Sequence, residues 1–352
     1  MKVRARTVRR AKKVFIAATV FVVACLMILG AVYGTAMSAN QPKVKVRAHA
    51  LTSAKAMITL EASTGRVLCE HNADQQLPMA STTKILTAIT AIENTDSLDT
   101  LVKISDKAIG IEGTSIYLQK GEAMTVRDLL LGLMLRSGND CSVALAIHIS
   151  GSIEAFADLM NETARKAGAT NSNFMNPHGL DETGHLTTAR DLGLISAYAM
   201  RNETFREIVA TKEARISGPD HPRPIQNKNR LLRSNPDIVG IKTGFTSKAG
   251  RCFVGAMHEN SMTVICVVLN CGPMFPESEH LMESALEEFY MFKVLDREQV
   301  QVDGEKQVMV ANDFFYPIRS GEESLFKITI TDEHVTVNFD GSEVHRESLS
   351  GD

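Results

Sequence analysis

Ser81 and Lys84 stand three residues apart in Ser81-Thr82-Thr83-Lys84. On a helix that spacing puts a hydroxyl and an amine on one face, within hydrogen-bond reach. A lysine acts as a base only when neutral, and bringing its pKa from about 10.4 to about 7.5 costs roughly 4 kcal/mol at ~1.36 per unit. Three contributions are available: the positive end of the helix, a like charge on Lys242, and desolvation by apolar neighbours such as Ile85. A poised Lys84 takes the proton of Ser81, and the serine becomes an acyl acceptor. Two further motifs follow in order, Ser137-Gly138-Asn139 and Lys242-Thr243-Gly244, and the set of three outlines a serine acyl-transfer site with a lysine base.

Each motif alone has a plainer meaning. Ser324-Leu325-Phe326-Lys327 repeats the first pattern and Ser38-Ala39-Asn40 the second, in places where catalysis is not expected. Ser137-Gly138-Asn139 by itself reads as a helix cap through Asn139 or Asp140. As part of the set, Ser137 is a proton relay toward the leaving amine and Asn139 an anchor for a substrate amide. Lys242-Thr243-Gly244 ends an apolar strand, where glycine is unfavourable unless a ligand or another backbone comes close. An extended peptide laid along that edge would pair with its main chain. Lys242 would supply charge and Thr243 a hydroxyl for a carboxylate, although strict alternation sends the two to opposite faces. His178 sits in a Pro-Gly turn and reads as a turn residue, and Cys141, among Val143, Leu145 and Ala146, reads as packing.

The surrounding pattern must hold these residues. Ala56 to Leu60 and Arg66 to Glu70 flank Ser63-Thr64-Gly65 as a hairpin. Apolar residues from Thr82 to Glu93 recur at helical spacing and place Ser81 at or just before a helix start. Further helices fit Val126 to Leu135, Asp140 to Ile149, Ile153 to Ala167, Thr188 to Met200 and about Glu279 to Leu295. Strands fit Ile238 to Gly244, Cys252 to Met257 and Thr263 to Leu269. The order is α/β, with the sheet elements split between the two ends of the domain. From Val300 onward period-two runs predict a small all-β appendage.

The chain has 352 residues, 44% apolar and 22% charged, an ordinary globular composition. Seven basic residues lie within the first 13, no acid accompanies them, and an uncharged stretch runs from Val14 to Tyr33. That is an export signal, either cleaved after small residues near Gly34 to Ser38 or kept as a membrane anchor. Without residues 1–39 the 38 basic residues fall by seven to 31, against 41 acidic ones. The mature protein is acidic, which argues against a nucleic-acid partner that needs a basic footprint. The five cysteines beyond the signal lack metal-type spacing, so neither a disulfide framework nor a metal site is expected.

The chain resembles the serine D-alanyl-D-alanine carboxypeptidases, the low-molecular-mass penicillin-binding proteins, in ASTTKILTA from Ala80, RSGNDCSVALA from Arg136, NPHGLDETGHLTTARDL from Asn176 and GIKTGFTSKAGRC from Gly240. The resemblance implies a DD-peptidase/β-lactamase-like fold: an antiparallel sheet flanked by helices, a helical subdomain and a small C-terminal β domain. It covers about Ala54 to Leu295 and more weakly the β appendage, so that with the export segment over 1–39 and a polar stretch read as a linker over 40–53 the chain divides into a catalytic domain over 54–296 and a β-rich domain over 297–352. The implied reaction is removal of the terminal D-alanine from peptidoglycan pentapeptide stems outside the cytoplasmic membrane, without metal or organic cofactor, with penicillins as acylating inhibitors. By position, Ser81 is the nucleophile and Lys84 its base, and Ser137 and Asn139 form the second element. Lys242, Thr243 and Gly244 line the opposite wall, and the amides of Ser81 and Phe245 form the oxyanion hole. Lys228, between Asn227 and Asn229, stands where the family places a basic residue for the terminal carboxylate, with lysine where some members have arginine. Val239 replaces an aspartate of many members.

Alternatives on the same fold are a β-lactamase and an endopeptidase that cuts cross-links; a wall-binding or sensor module without catalysis is the alternative from another class. No Glu-x-x-Asn lies between Asn139 and Lys242, which leans against efficient lactam hydrolysis. No amphipathic helix follows the last β pattern, so any lasting membrane attachment is expected to rest on residues 14–33.

Overall fold

The computed structural model describes residues 52–218, 221–304 and 306–349. The signal or anchor expected over 1–39, and the linker up to residue 51, lie outside them.

The chain enters as the hairpin β1 (Ala56–Glu61) and β2 (Val67–His71). A 3-10 turn, Ala80–Thr83, leads into α1 (Lys84–Glu93). The short strands β3 (Leu101–Lys103) and β4 (Ala123–Thr125) pair before α2 (Val126–Leu131), which ends in a π turn, Gly132–Arg136. Helices α3 (Asn139–Ser150), α4 (Ile153–Lys166), α5 (Ala189–Met200) and α6 (Glu203–Ala210) follow. Next come the hairpin β5 (Glu213–Ile216) and β6 (Arg223–Gln226), the single turn α7 (Leu231–Ser234), and three long strands, β7 (Ile238–Thr246), β8 (Gly250–Glu259) and β9 (Met262–Leu269). Helix α8 (Met274–Glu288) closes this part.

The main sheet has the order β2-β1-β9-β8-β7, with every neighbouring pair antiparallel. The hairpin from the start of the domain therefore joins three strands from its end, as the sequence pattern predicts. Alternate residues feed two cores: Ile265, Val267 and Leu269 of β9 face the cluster around α1, while Val264, Cys266 and Val268 face the cluster under α8. Because both faces are covered, β9 reads as a continuous apolar run. Helix α1 is buried from Lys84 to Ala91. Its polar residue Thr87 is matched internally, donating to the Pro177 carbonyl at 2.7 Å.

Helices α2, α4, α5 and α6 each start on a side chain that accepts a backbone N–H, from Thr125, Ser152, Thr188 and Asn202 respectively. Helices α1 and α3, which begin at Lys84 and Asn139, have no such cap. Their first-turn side chains are used elsewhere.

The expected helix from about Glu279 to Leu295 is corrected at both ends. It begins at Met274, with Pro276 in the first turn where no N–H is needed, and stops at Glu288. Tyr290–Leu295 instead forms β10, paired with β13 (Phe314–Ile318). Two short strands, β11 (Gln301–Asp303) and β12 (Lys306–Val308), and the three-stranded sheet β14 (Phe326–Ile330), β15 (His334–Phe339) and β16 (Ser342–Ser348) complete an all-β region. The Ser324 repeat of the first motif lies there, in a 3-10 turn before β14. Arg66, between β1 and β2, reaches into this region. Its guanidinium carbon lies 4.5 Å from the Phe339 ring centre and 5.3 Å from those of Tyr316 and Phe289. It also donates to the Pro317 carbonyl and pairs with Glu322 at 2.8 Å.

Candidate active site

Ser81 lies in the 3-10 turn that feeds α1, so its hydroxyl and the amine of Lys84 are one turn apart, 2.9 Å from each other. Ala80 just before it is left-handed, at φ 50°, a conformation that costs a non-glycine residue about 1–2 kcal/mol. Gly179 explains how the turn is enforced: a Cβ there would sit 2.0 Å from the Ala80 carbonyl oxygen. The turn that contains His178 thus presses directly on the turn that presents Ser81.

Lys84 is fully buried and meets two further oxygens, Asn139 Oδ1 at 2.7 Å and the His178 carbonyl at 2.5 Å. The Asn139 amide orientation is fixed by its Nδ2, which donates to the Glu112 carbonyl at 2.5 Å. Both of those oxygens only accept hydrogen bonds. A neutral amine has two N–H bonds to give them, which leaves its lone pair for the Ser81 hydroxyl. Burial, followed by the like charge of Lys242, pushes Lys84 well below the usual lysine range. Both causes are among those the sequence offered.

Asn139 starts α3, but it does not cap that helix; its amide serves Lys84 and Glu112 instead. Ser137 before it is buried and left-handed, at φ 67°. No hydrogen bond joins Ser137 to Lys84 among the described residues, whereas Asn139 makes one. Asp140 clasps the neighbouring loop: its carboxylate accepts from Ser115 Oγ at 2.5 Å and from the Ile116 and Leu118 amides at 3.1 Å each. Thr114, in the same loop, accepts the Asn139 N–H on its carbonyl at 2.7 Å.

Strand β7 lies across from them as an edge strand whose one neighbouring strand, among the described residues, is β8. A Cβ on Gly244 would lie 3.1 Å from the Met79 oxygen and from the Ser81 and Thr82 nitrogens. The glycine is where the close backbone approach requires it, and the approaching backbone is that of the turn that carries Ser81. Lys242 is 1% exposed, with its amine donating to the Thr243 carbonyl at 2.9 Å. Burial, then the charge of Lys228, lowers it to about 7. Thr243 is half-buried and Phe245 exposed. The lysine side chain bends along the strand to its neighbour's carbonyl, although the two side chains leave the strand on opposite faces.

The Asn-Lys-Asn stretch divides its labour. Asn227 donates to the Thr211 carbonyl at 3.0 Å and Asn229 to the Gly240 carbonyl at 3.1 Å, so both are buried struts. Lys228 between them is exposed, and its amine donates to Thr114 Oγ1 at 3.2 Å. The structure thus brings Ser81, Lys84, Asn139, Lys242, Gly244 and Lys228 around one cleft.

Sequence reasoning missed the His178 carbonyl, the Glu112 carbonyl, Thr114 and Asp140. The His178 ring is a turn element as expected, with Nδ1 accepting the Leu180 N–H at 3.2 Å, and burial lowers it to about 3, neutral at physiological pH. It is its main-chain oxygen that enters the site. Asp140 had a signal in its place directly after Asn139. Cys141 is buried packing, as read, and burial pushes its thiol up. Among the described residues, no group of histidine, cysteine and carboxylate side chains could hold a metal ion.

The model of the D-alanyl-D-alanine carboxypeptidase family, peptidase S11, matches residues 39–272. The chain belongs to this family. The D-alanyl-D-alanine carboxypeptidase DacF of Bacillus subtilis is 35% identical over 224 residues, 62% of this chain and 58% of that protein. This family member therefore spans less than two thirds of the length of the curated relatives it first matches. Among solved structures, penicillin binding protein 5 of Haemophilus influenzae superposes with a TM-score of 0.72 at 27% identity, covering 85% of this chain and 96% of that one. A mutant of a Streptomyces K15 DD-transpeptidase superposes at 0.62 with 30% identity, covering 68% of this chain and 98% of that one. The fold is that of the penicillin-binding DD-peptidases, with an all-β region after it.

Proposed function

We propose that the protein is a serine D-alanyl-D-alanine carboxypeptidase of the extracytoplasmic face, removing the terminal D-alanine from peptidoglycan stem pentapeptides and acylated by penicillins. The observation that carries this reading is the coordination of Lys84, with two pure acceptors for its N–H bonds and the Ser81 hydroxyl at the remaining position.

Ser81 Oγ attacks the penultimate D-alanine carbonyl while its proton passes to Lys84 Nζ. The amides of Ser81 and Phe245 receive the developing oxyanion. Collapse breaks the C–N bond, the leaving amine takes a proton by way of Lys84 or Ser137, and water then hydrolyses the acyl-serine ester. Asn139 anchors a substrate amide as well as the base. Gly244 and Thr243 hold the extended peptide at the β7 edge, and Lys242 and Lys228 meet the terminal carboxylate. No step calls for a metal or an organic cofactor. Residues 54–296 carry this chemistry and 297–352 support it; 1–39 direct export as a signal or an anchor, followed by a linker over 40–53. The superposition that matches a whole DD-transpeptidase chain to about two thirds of this one supports that division.

Intact-mass measurement after penicillin treatment tests the reading. One adduct is expected on the wild type and none on Ser81→Ala, with Lys84→Ala folded but unreactive. An unchanged wild-type mass refutes it.

A further inference from the structure

The segment 173–186 lies against the turn that carries Ser81 and is tied to it and to α1 at three points. The His178 carbonyl accepts from Lys84 Nζ, the Pro177 carbonyl accepts from Thr87 at 2.7 Å, and Gly179 presses on the Ala80 carbonyl. A fourth tie runs through side chains alone. His185 is 2% exposed, its Nε2 lies 2.9 Å from Thr83 Oγ1, and that hydroxyl donates to the Ala80 carbonyl at 2.9 Å. Thr83 is fully buried as well, so ring and hydroxyl must satisfy each other.

The direction of this chain of hydrogen bonds is fixed. The Met175 N–H donates to His185 Nδ1 at 3.0 Å, so Nδ1 carries no proton. Burial, then the charge of Lys84, lowers His185 to about 4, which keeps the ring neutral at physiological pH. Its one proton is therefore on Nε2 and is given to Thr83 Oγ1, whose own proton is left for Ala80. The ring is not needed to close its own segment, because Asn173 and Leu186 already exchange both main-chain bonds, at 2.8 and 3.1 Å. What it adds is a donor aimed at the turn before α1, where Ala80 is held in its left-handed conformation.

We propose that His185 is a positioning residue for Ser81: a neutral ring whose Nε2–H orders the Thr83 hydroxyl toward the Ala80 carbonyl and so fixes the direction in which Ser81 Oγ leaves its turn. The inference rests on the reading that Ser81 is the acylated nucleophile, and His185 acts on it through Thr83, not on the substrate. With the chain intact, the Ala80 carbonyl is held by Gly179 and by Thr83, and Ser81 Oγ stays 2.9 Å from Lys84 Nζ. With it broken, the Thr83 hydroxyl is free to turn to another acceptor, and a strained residue loses one of the contacts that hold it in place. A small displacement of the attacking oxygen is enough to slow the chemical step without weakening binding.

Two replacements separate this role from closure of the segment. Glutamine keeps an N–H near the place of Nε2, whereas asparagine keeps only an acceptor near the place of Nδ1. In stopped-flow acylation of the full chain by penicillin, His185→Asn and Thr83→Val should each lower the acylation rate constant by about tenfold at an unchanged Kd of the non-covalent complex. His185→Gln and Thr83→Ser should restore most of that rate. The double variant of Thr83→Val with His185→Asn should be no slower than either alone, because both cut the same chain. Nitrogen NMR of the wild type labelled in its histidines should show His185 with Nε2 protonated and Nδ1 bare, a result that does not depend on any variant folding. A proton on Nδ1, a His185→Asn protein as fast as the wild type, or a His185→Gln protein no faster than His185→Asn overturns the inference and leaves the reading of Ser81 intact. If the wild type takes up no penicillin, the acyl-transfer reading itself fails and takes the inference with it.

Discussion

Replacing Lys242 by methionine is expected to make the protein more stable and less active, by amounts that depend on pH. The side chain titrates at about 7 in the folded protein against an unperturbed 10.5, chiefly because burial penalises the ammonium. At ~1.36 kcal/mol per unit the depression corresponds to roughly 5 kcal/mol at low pH. The sign follows from proton counts: between the two values the unfolded chain holds a proton that the folded one lacks, so wild-type stability rises as pH rises from about 7 toward 10.5. At about pH 6 the full ~5 kcal/mol separates the wild type from Lys242→Met, and at about pH 9 only roughly 2 kcal/mol of it remains. Urea unfolding of both proteins at those two pH values measures the gap directly. Activity moves the other way. On the role proposed for Lys242, loss of its ammonium should lower kcat/KM on a D-alanyl-D-alanine substrate by about 30-fold or more. Lys84 loses its nearest like charge and titrates higher, which moves the rising limb of penicillin acylation to higher pH. A gap that stays constant with pH, or a variant less stable throughout, would refute the claim that burial of this ammonium opposes folding.

Gly244→Ala should destabilise the protein by about 1–3 kcal/mol and slow penicillin acylation. Its methyl presses at 3.1 Å on three backbone atoms around Ser81, and thermal unfolding with stopped-flow acylation checks both effects. Asn139→Ala should lower the acylation rate by about 100-fold through loss of the oxygen that holds Lys84, and Asn139→Asp should raise the Lys84 pKa by adding an anion, visible as a shifted pH–rate profile. Arg66→Ala removes the nearer of two cationic partners of the partly buried Glu322, leaving Arg319 at 3.7 Å, and empties the three-ring cage. A loss of roughly 3 kcal/mol is expected, with faster amide exchange in β13 and unchanged penicillin acylation.

The elements that carry the chemistry were legible because their signals are local. A hydroxyl and an amine three residues apart at a helix start, a Ser-Gly-Asn break and a glycine ending an apolar strand each have a plainer meaning alone, and their order along one chain is what pointed to a single site. What stayed hidden depends on main-chain atoms and distant partners. The His178 and Glu112 carbonyls carry no residue-type signature, since any residue would present the same oxygen. The clasp of Asp140 on the 115–118 loop spans more than 20 positions and shows in no periodicity. The helix expected to run on to Leu295 overlooks Tyr290, Phe292 and Val294, which alternate with the period of a strand. Pairing with β13, a tertiary effect, decides the conformation there.

The hairpin that carries Arg66 belongs to β2 and β1 at one margin of the main sheet, and Lys242-Thr243-Gly244 runs along the other margin. Four interstrand steps of about 4.8 Å separate those margins, roughly 19 Å in all. Whatever packs around Arg66 thus bears on the far margin of the sheet, and its loss is expected to appear in stability before it appears in turnover. That separation sets a blind spot: a screen that scores only reaction with an antibiotic is expected to miss damage at that corner as long as the protein stays folded.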